Sequence, residues 1–259
     1  QASPIRRSPI DVLFGNWNLD TSPAFIGLDL MSRVISPYAF NPLNINPLRD
    51  LLEECIDFDR VGRSTDIKLF ISATNVRTGK VKIFHGKEVT ADAIMASACL
   101  PHLFQAVEID GVPYWDGGYS GNPALFPFHY QCNTEDLLLI QINPIERAET
   151  PTTAREILNR MNEISFNSSL LKELRAIEFV SRLIEDGALD NRRYSQVRLH
   201  RIDGGEALAE LNASTKFNTE MAFFRNLRDF GRAAASAWLD LHADKVGRES
   251  SLPIKSVFE

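Results

Sequence analysis

Asp110-Gly111 is the tightest local constraint in this sequence. It separates two short β-rich runs, residues 106–109 and 112–115. A two-residue loop of that composition turns its flanks back on each other as an antiparallel hairpin. Residues 67–73, Ile-Lys-Leu-Phe-Ile-Ser-Ala, form an apolar run with β-branched and aromatic members and predict a buried strand. Arg77-Thr78-Gly79-Lys80 reads as a turn and residues 81–84 as a second strand. Residues 91–98 predict a short helix of small residues that ends before Pro101. Residues 137–142 predict another buried strand, and 195–202 a further one.

After Pro151 the pattern lengthens. Residues 152–186 read as one long helical stretch, with Ile157, Met161, Ile164, Leu171 and Leu174 on a roughly 3.6-residue stripe and alternating charges on a solvated face. Residues 206–212 and 219–245 close the chain with helices. Strands separated by helices, followed by a helix-rich final third, predict a mixed α/β layered domain.

The opening fifty residues differ. Ser3-Pro4, Ser8-Pro9, Ser22-Pro23, Ser36-Pro37, Asn41-Pro42 and Asn46-Pro47 punctuate them. A residue before proline avoids helix, so residues 1–60 are expected to be a loop-rich variable or lid segment. Two helices are expected within it. One covers 24–35, with Thr21 or Ser22 as cap and Pro23 in its first turn. The other runs from Asn46-Pro47 to about Cys55.

Composition excludes several classes. Of 259 residues, 44% are apolar and 24% charged, which rules out wholesale disorder and a disulfide miniprotein. Lys plus Arg is 28 against 34 Asp plus Glu, a net charge of −6 with no basic run, so nucleic acid is not an expected partner. Cys55, Cys99 and Cys132 are far apart and odd in number, which reads as buried, reduced thiols of a cytosolic-type protein. No run approaches the ~18 apolar residues of a membrane span, and the N-terminus has no apolar signal core. The sequence opens Gln1-Ala2-Ser3-Pro4 without Met, so a processed, trimmed or partial chain is expected.

The five histidines, His85, His102, His129, His200 and His242, have no ligand spacing, and no phosphate-binding glycine loop is present. A nucleophile elbow, G-x-S-x-G, is also missing. Its nearest approach, Gly118-Tyr119-Ser120-Gly121-Asn122, is one residue short and reads as a glycine-rich turn. Asp116-Gly117-Gly118 directly follows the hairpin. An Asp at a strand exit backed by two glycines can sit in a tight bend and orient or deprotonate a nucleophile, or it can be a plain turn. The chain carries its own control, because Asp203-Gly204-Gly205 follows the strand 195–202 in much the same way.

The wider context separates the two. Ala96-Ser97-Ala98-Cys99-Leu100-Pro101-His102-Leu103-Phe104, the hairpin, Tyr114-Trp115-Asp116-Gly117-Gly118 and Gly121-Asn122-Pro123 follow in order. Together they resemble the patatin-like phospholipases of bacterial type. The Ala73-Thr74-Asn75 strand end and Gln141-Ile142-Asn143-Pro144 fit the same resemblance, which extends over roughly residues 15 to 245. Asp203 lacks the hairpin before it and Asn-Pro after it, so it reads as a turn leading into a helix near Glu206.

The resemblance implies a three-layer α/β fold with a central, mostly parallel sheet flanked by helices, in one domain over 1–259. It implies hydrolysis of lipid acyl esters by a Ser–Asp dyad without histidine and without a cofactor, Asp116 being the aspartate. Gly117 and Gly118 are then backbone-permissive positions at the site. Phe104, Trp115 and Phe126, with Phe128 nearby, are candidates for an acyl pocket or for ordinary core. Trp17, Phe25, Met31 and Phe40 are candidates for a lid or membrane-touching surface, or for interior packing.

The family's glycine-rich oxyanion loop and its G-x-S-x-G segment are not in this sequence. A companion N-terminal segment carrying the serine is the preferred expectation, because a sheet without it exposes apolar surface and an open edge. A partial sequence, a catalytically silent lipid-binding or regulatory module, and a hydrolase using Ser120 are the alternatives. Expected partners are a lipid or acyl-ester substrate and, transiently, a membrane surface; the expected location is cytoplasmic.

Overall fold

The computed structural model describes residues 5–190, 194 and 196–258. In chain order its helices are α1 (Pro9–Leu13), α2 (Pro23–Val34), α3 (Pro37–Phe40), α4 (Pro47–Cys55), α5 (Phe58–Arg63), α6 (Ala91–Ser97), α7 (Phe126–Gln131), α8 (Ala154–Glu185), α9 (Gly205–Ala209) and α10 (Met221–His242). The strands are β1 (Phe70–Asn75), β2 (Val81–His85), β3 (Val107–Ile109), β4 (Val112–Asp116), β5 (Asp136–Gln141) and β6 (Arg198–Asp203). They fall into two compact units. One comprises Gln1–Leu28, Asn133–Ile164 and Leu171–Glu259; the other comprises Asp29–Cys132 and Ser165–Leu170.

The opening segment is more helical than its prolines suggest. Pro9, Pro23, Pro37 and Pro47 each stand at the first position of a helix, where a missing N–H costs nothing. Ser8, Ser36 and Asn46 accept hydrogen bonds from Asp11 N, Tyr38 N and Leu48 N as caps. The same X-Pro pairs that forbid helix before the proline start one after it. The two helices expected here are present, and Ser3-Pro4 lies outside the described residues.

In the unit of residues 29–132, β1 to β4 form one sheet in the order β2-β1-β4-β3, with every pair antiparallel. The expected central, mostly parallel sheet is not what this unit shows. The β1–β2 connection is a short turn and the β3–β4 connection has two residues, and neither is long enough for a parallel crossover. Asp110 and Gly111 both have positive φ, 51° and 74°, as a primed two-residue hairpin turn requires. Ala73, Phe84 and Tyr114 form the apolar face of the sheet. Ala93 and Ala96 of α6 pack on it, their small side chains allowing the helix to approach closely. The strand expected at 67–73 begins only at Phe70, and Ile67 and Leu69 are exposed.

In the other unit, β5 and β6 pair in parallel from Asp136↔Arg198 to Gln141↔Asp203. The helix that separates them in sequence, α8, makes a parallel connection possible. Ser195, the expected first residue of β6, lies outside the described residues. Strand β5 is buried on one face only: Leu137 and Leu139 are buried, whereas Leu138 and Ile140 are exposed. Its apolar run therefore reads as fully buried in sequence but not in the fold.

Asp136 ties the pair together. Arg198 donates to both of its carboxylate oxygens, at 3.0 and 2.8 Å, and Gly247 N donates at 2.9 Å. Those bonds, Arg198's first, hold the Asp136 carboxyl well below the usual carboxylate range. Leu252 N donates to Leu199 O and Leu199 N to Ser250 Oγ, so residues 246–252 are laid along β6.

Helix α8 opens with a capping box between Thr153 and Glu156. Its apolar stripe is divided: Leu170, Leu174 and Ile177 are buried, but Ile157, Met161 and Ile164 are exposed. Leu174→Ala is expected to lower stability by about 2–5 kcal/mol. Met161→Ala, 59% exposed against 1% for Leu174, is expected to change it by less than ~0.5 kcal/mol. Urea unfolding midpoints of the two variants check this contrast.

Candidate active site

Asp116 is the last residue of β4 and pairs with Ala73 of β1. Its backbone is fixed on both sides: Asp116 N donates to Cys99 O at 2.9 Å, and Thr74 Oγ1 donates to Asp116 O at 2.8 Å. The carboxylate is aimed by the turn that follows. Gly118 N donates to Asp116 Oδ1 at 2.7 Å, and Gly117–Tyr119 form one turn of 3-10 helix.

Both glycines are required by space rather than by φ. A Cβ on Gly117 would fall on the Ser72 carbonyl and hydroxyl. A Cβ on Gly118 would lie 2.9 Å from Asp116 Oδ1 and 3.0 Å from the Phe166 ring. Gly117→Ala is expected to cost about 1–3 kcal/mol or more, because backbone has to move. Gly27→Ala, inside α2 with open space around it, is expected to stabilise by about 0.5–1 kcal/mol. Thermal unfolding of the pair tests the close approach at Gly117.

The second Asp-Gly-Gly makes the same side-chain hydrogen bond on a different backbone, since Gly205 has a positive φ, 53°, and Gly118 does not. Gly205 N donates to Asp203 Oδ1 at 3.1 Å, and α9 starts at Gly205, the turn into a helix that the sequence predicts. Its surroundings are different. Asp203 is half-exposed and paired with Arg201 at 3.2 Å. Around Asp116 the neighbours are a buried thiol and a phenol. Burial pushes the Cys99 thiol up to about 11, and the negative charge of Asp116 acts in the same direction. Burial and then the Asp116 charge also push the Tyr119 hydroxyl up. The charge of Asp116 thus acts on a buried thiol and a phenol, and that of Asp203 on the Arg201 guanidinium.

Ser120 is brought into the same turn, but its hydroxyl pairs with Thr74 Oγ1 at 2.8 Å, and Thr74 in turn serves the Asp116 backbone carbonyl. Thr74 was not singled out in sequence; its signal is the Ala73-Thr74-Asn75 strand end. Ser169 Oγ of α8 accepts from Asn122 N at 3.3 Å, and Tyr119 packs on Phe166 of the same helix, with ring centroids 5.6 Å apart. These helix residues carry no sequence mark connecting them with Asp116.

Of the three aromatic candidates, Trp115 pairs with Thr74 in the β1–β4 register, and strand alternation puts it on the sheet face opposite Asp116. Phe104 closes the turn after α6, donating its N–H to Leu100 O, and Phe126 opens α7; both are partly exposed. Phe128 packs edge-on against Phe70, and both are partly buried. The cysteines are not uniformly buried: Cys99 is, Cys132 is partly so, and Cys55 is exposed.

One histidine is in a cluster that its sequence position does not reveal. His200 Nε2 donates to Asp136 Oδ1 at 3.1 Å, and Nδ1 pairs with Ser251 Oγ at 3.0 Å. The residue types are those of a serine triad. Arg198 occupies both Asp136 oxygens and His200 is 1% exposed, so a leaving group has no access to its ring. The cluster is a clasp for residues 246–252. Among the described residues no group of His, Cys, Asp and Glu has metal-ligand geometry, and no helix is long and apolar enough to cross a membrane.

Residues 9–129 match the family model of the patatin-like phospholipases. The resemblance read in the sequence is shown over that stretch, which contains the hairpin, Asp116-Gly117-Gly118 and Asn122-Pro123. Gln141-Ile142-Asn143-Pro144 lies beyond it. No curated protein matches the chain.

Proposed function

We propose that this chain is the aspartate-bearing part of a lipid acyl-ester hydrolase, a phospholipase or esterase acting through a Ser–Asp dyad. The observation that carries the proposal is the Asp116 turn, with its carboxylate held by Gly118 N–H at a strand exit inside the patatin-matched stretch. In this reading Asp116 takes the proton of a serine hydroxyl. The serine oxygen bonds to the ester carbonyl carbon, the alcohol leaves with a proton, and water then cleaves the acyl-enzyme. The Gly118 N–H is spent on the Asp116 carboxylate, so the donors for the oxyanion are assigned to the companion segment.

The serine belongs, in this proposal, to a companion segment with G-x-S-x-G. Leu138 and Ile140 support it, because an exposed apolar sheet face of that kind is normally covered. Among the described residues β6 is the one strand partner of β5, which leaves its other edge for a further parallel strand of the expected three-layer domain. Phe104 and Phe126 are assigned to the acyl pocket; Trp115, on the far face from Asp116, has the weakest support. A cytoplasmic location and a freely diffusing protein that visits its substrate at a membrane complete the reading.

Fluorophosphonate labelling of the protein purified from its source, followed by denaturing intact mass, tests this. The expected result is probe mass on a polypeptide that carries G-x-S-x-G, not on residues 1–259. Label on the 259-residue chain itself would move the nucleophile to Ser120. A preparation in which nothing is labelled would leave a catalytically silent module instead.

A further inference from the structure

Residues 34–48, Val-Ile-Ser-Pro-Tyr-Ala-Phe-Asn-Pro-Leu-Asn-Ile-Asn-Pro-Leu, contain no Asp, Glu, Lys, Arg or His in a chain that is 24% charged. Its apolar side chains are on the surface: Val34, Phe40, Leu43, Ile45 and Leu48 are all exposed, Leu43 to 80%. Exposed apolar side chains in such density on a folded surface mark a contact with something apolar.

The backbone of this segment is prepared for losing water. Pro37, Pro42 and Pro47 have no N–H to satisfy. Tyr38, Ala39, Phe40, Asn41, Asn44, Ile45, Leu48 and Arg49 donate theirs within the segment. The Asn41 side chain closes the loop at both ends, its Nδ2 donating to Ile45 O at 2.9 Å and its Oδ1 accepting from Ile45 N at 3.0 Å. Leu43 stands at the tip of that loop. Two bonds fasten it to the hairpin region: Gln105 Nε2 donates to Asn41 O at 2.6 Å, and Ala106 N to Tyr38 Oη at 3.3 Å. The apolar tip is therefore preformed.

We propose that this loop inserts into the interfacial region of a zwitterionic lipid membrane, with Leu43 and Ile45 as the deepest side chains. Unsatisfied backbone N–H groups are what hydrocarbon penalises most, and this loop presents few. Electrostatics specify the lipid. The segment is uncharged, and the cation that follows it, Arg49, is already paired with Asp92 at 2.9 Å and Glu53 at 3.1 Å. Nothing in it favours anionic headgroups, and the net charge of −6 opposes them. The choice of lipid over protein rests on the proposed function, so binding is to be read without turnover.

The test is co-sedimentation of the full chain with vesicles of diether phosphatidylcholine, which has no ester to cleave. The wild type is expected to pellet with the vesicles, equally at low and high salt. Leu43→Asp/Ile45→Asp is expected to lower the partition coefficient about tenfold or more. Val34→Asp provides an independent, smaller loss, and Leu241→Asp, exposed on α10, is expected to bind as wild type. Unchanged thermal unfolding shows that the variants are folded. A wild type that stays in the supernatant overturns the proposal, as does a double variant that binds equally well. Binding that requires phosphatidylserine and vanishes in salt also overturns it. So does a lipid-free dimer, detected by sedimentation velocity, that the double variant dissolves.

Discussion

The close approach of Gly117 to Ser72 organises the unit that holds Asp116. Strand β4 can end against β1 only if the residue after Asp116 has no side chain, since the Ser72 carbonyl and hydroxyl occupy the place of a Cβ. With that contact made, the chain bends at once, Gly118 N–H meets the Asp116 carboxylate, and Ser120 meets Thr74. The orientation of a single acid group is thus fixed by backbone sterics together with these hydrogen bonds.

Asp136, Asp203 and Asp116 contrast within one chain. Asp136 is saturated by Arg198, His200 and a backbone N–H and serves only to join β5, β6 and the closing segment. Asp203 accepts from the glycine two residues on, as Asp116 does, and is paired with Arg201 near solvent. Asp116 raises the proton affinity of a buried thiol and a phenol beside it. The local motif is shared by two of the three, so the motif alone does not make a site; the surroundings do.

Much of this was legible in the sequence. The Asp110-Gly111 hairpin, the α6 helix of small residues and the Asp-Gly-Gly turn each follow from short-range rules, and short-range rules survive in any tertiary context. What failed needed distant partners. The apolar run of β5 gave no sign that Leu138 and Ile140 are uncovered, because burial depends on what packs on the strand. The stripe on α8 is regular in sequence, yet only its later part is buried. That Ser165–Leu170 belong with the Asp116 unit, or that His200 joins Asp136 to Ser251, is invisible without a fold. The prolines misled for a different reason: X-Pro marks a helix start as strongly as it marks a helix end, and only the cap residue before it distinguishes them.

The central claim is that Asp116, and not Asp203 of the second Asp-Gly-Gly, performs proton transfer in ester cleavage. The direct measurement is the rate of hydrolysis of a soluble short-chain p-nitrophenyl ester by the intact protein, with Asp116→Asn and Asp203→Asn compared side by side. Asn keeps the acceptor for the Gly118 or Gly205 N–H, so both turns survive. Loss of a general base predicts a fall of about 10²-fold or more for Asp116→Asn, with Asp203→Asn near the wild-type rate. Equal rates for wild type and Asp116→Asn, or a larger fall in Asp203→Asn, would contradict the account.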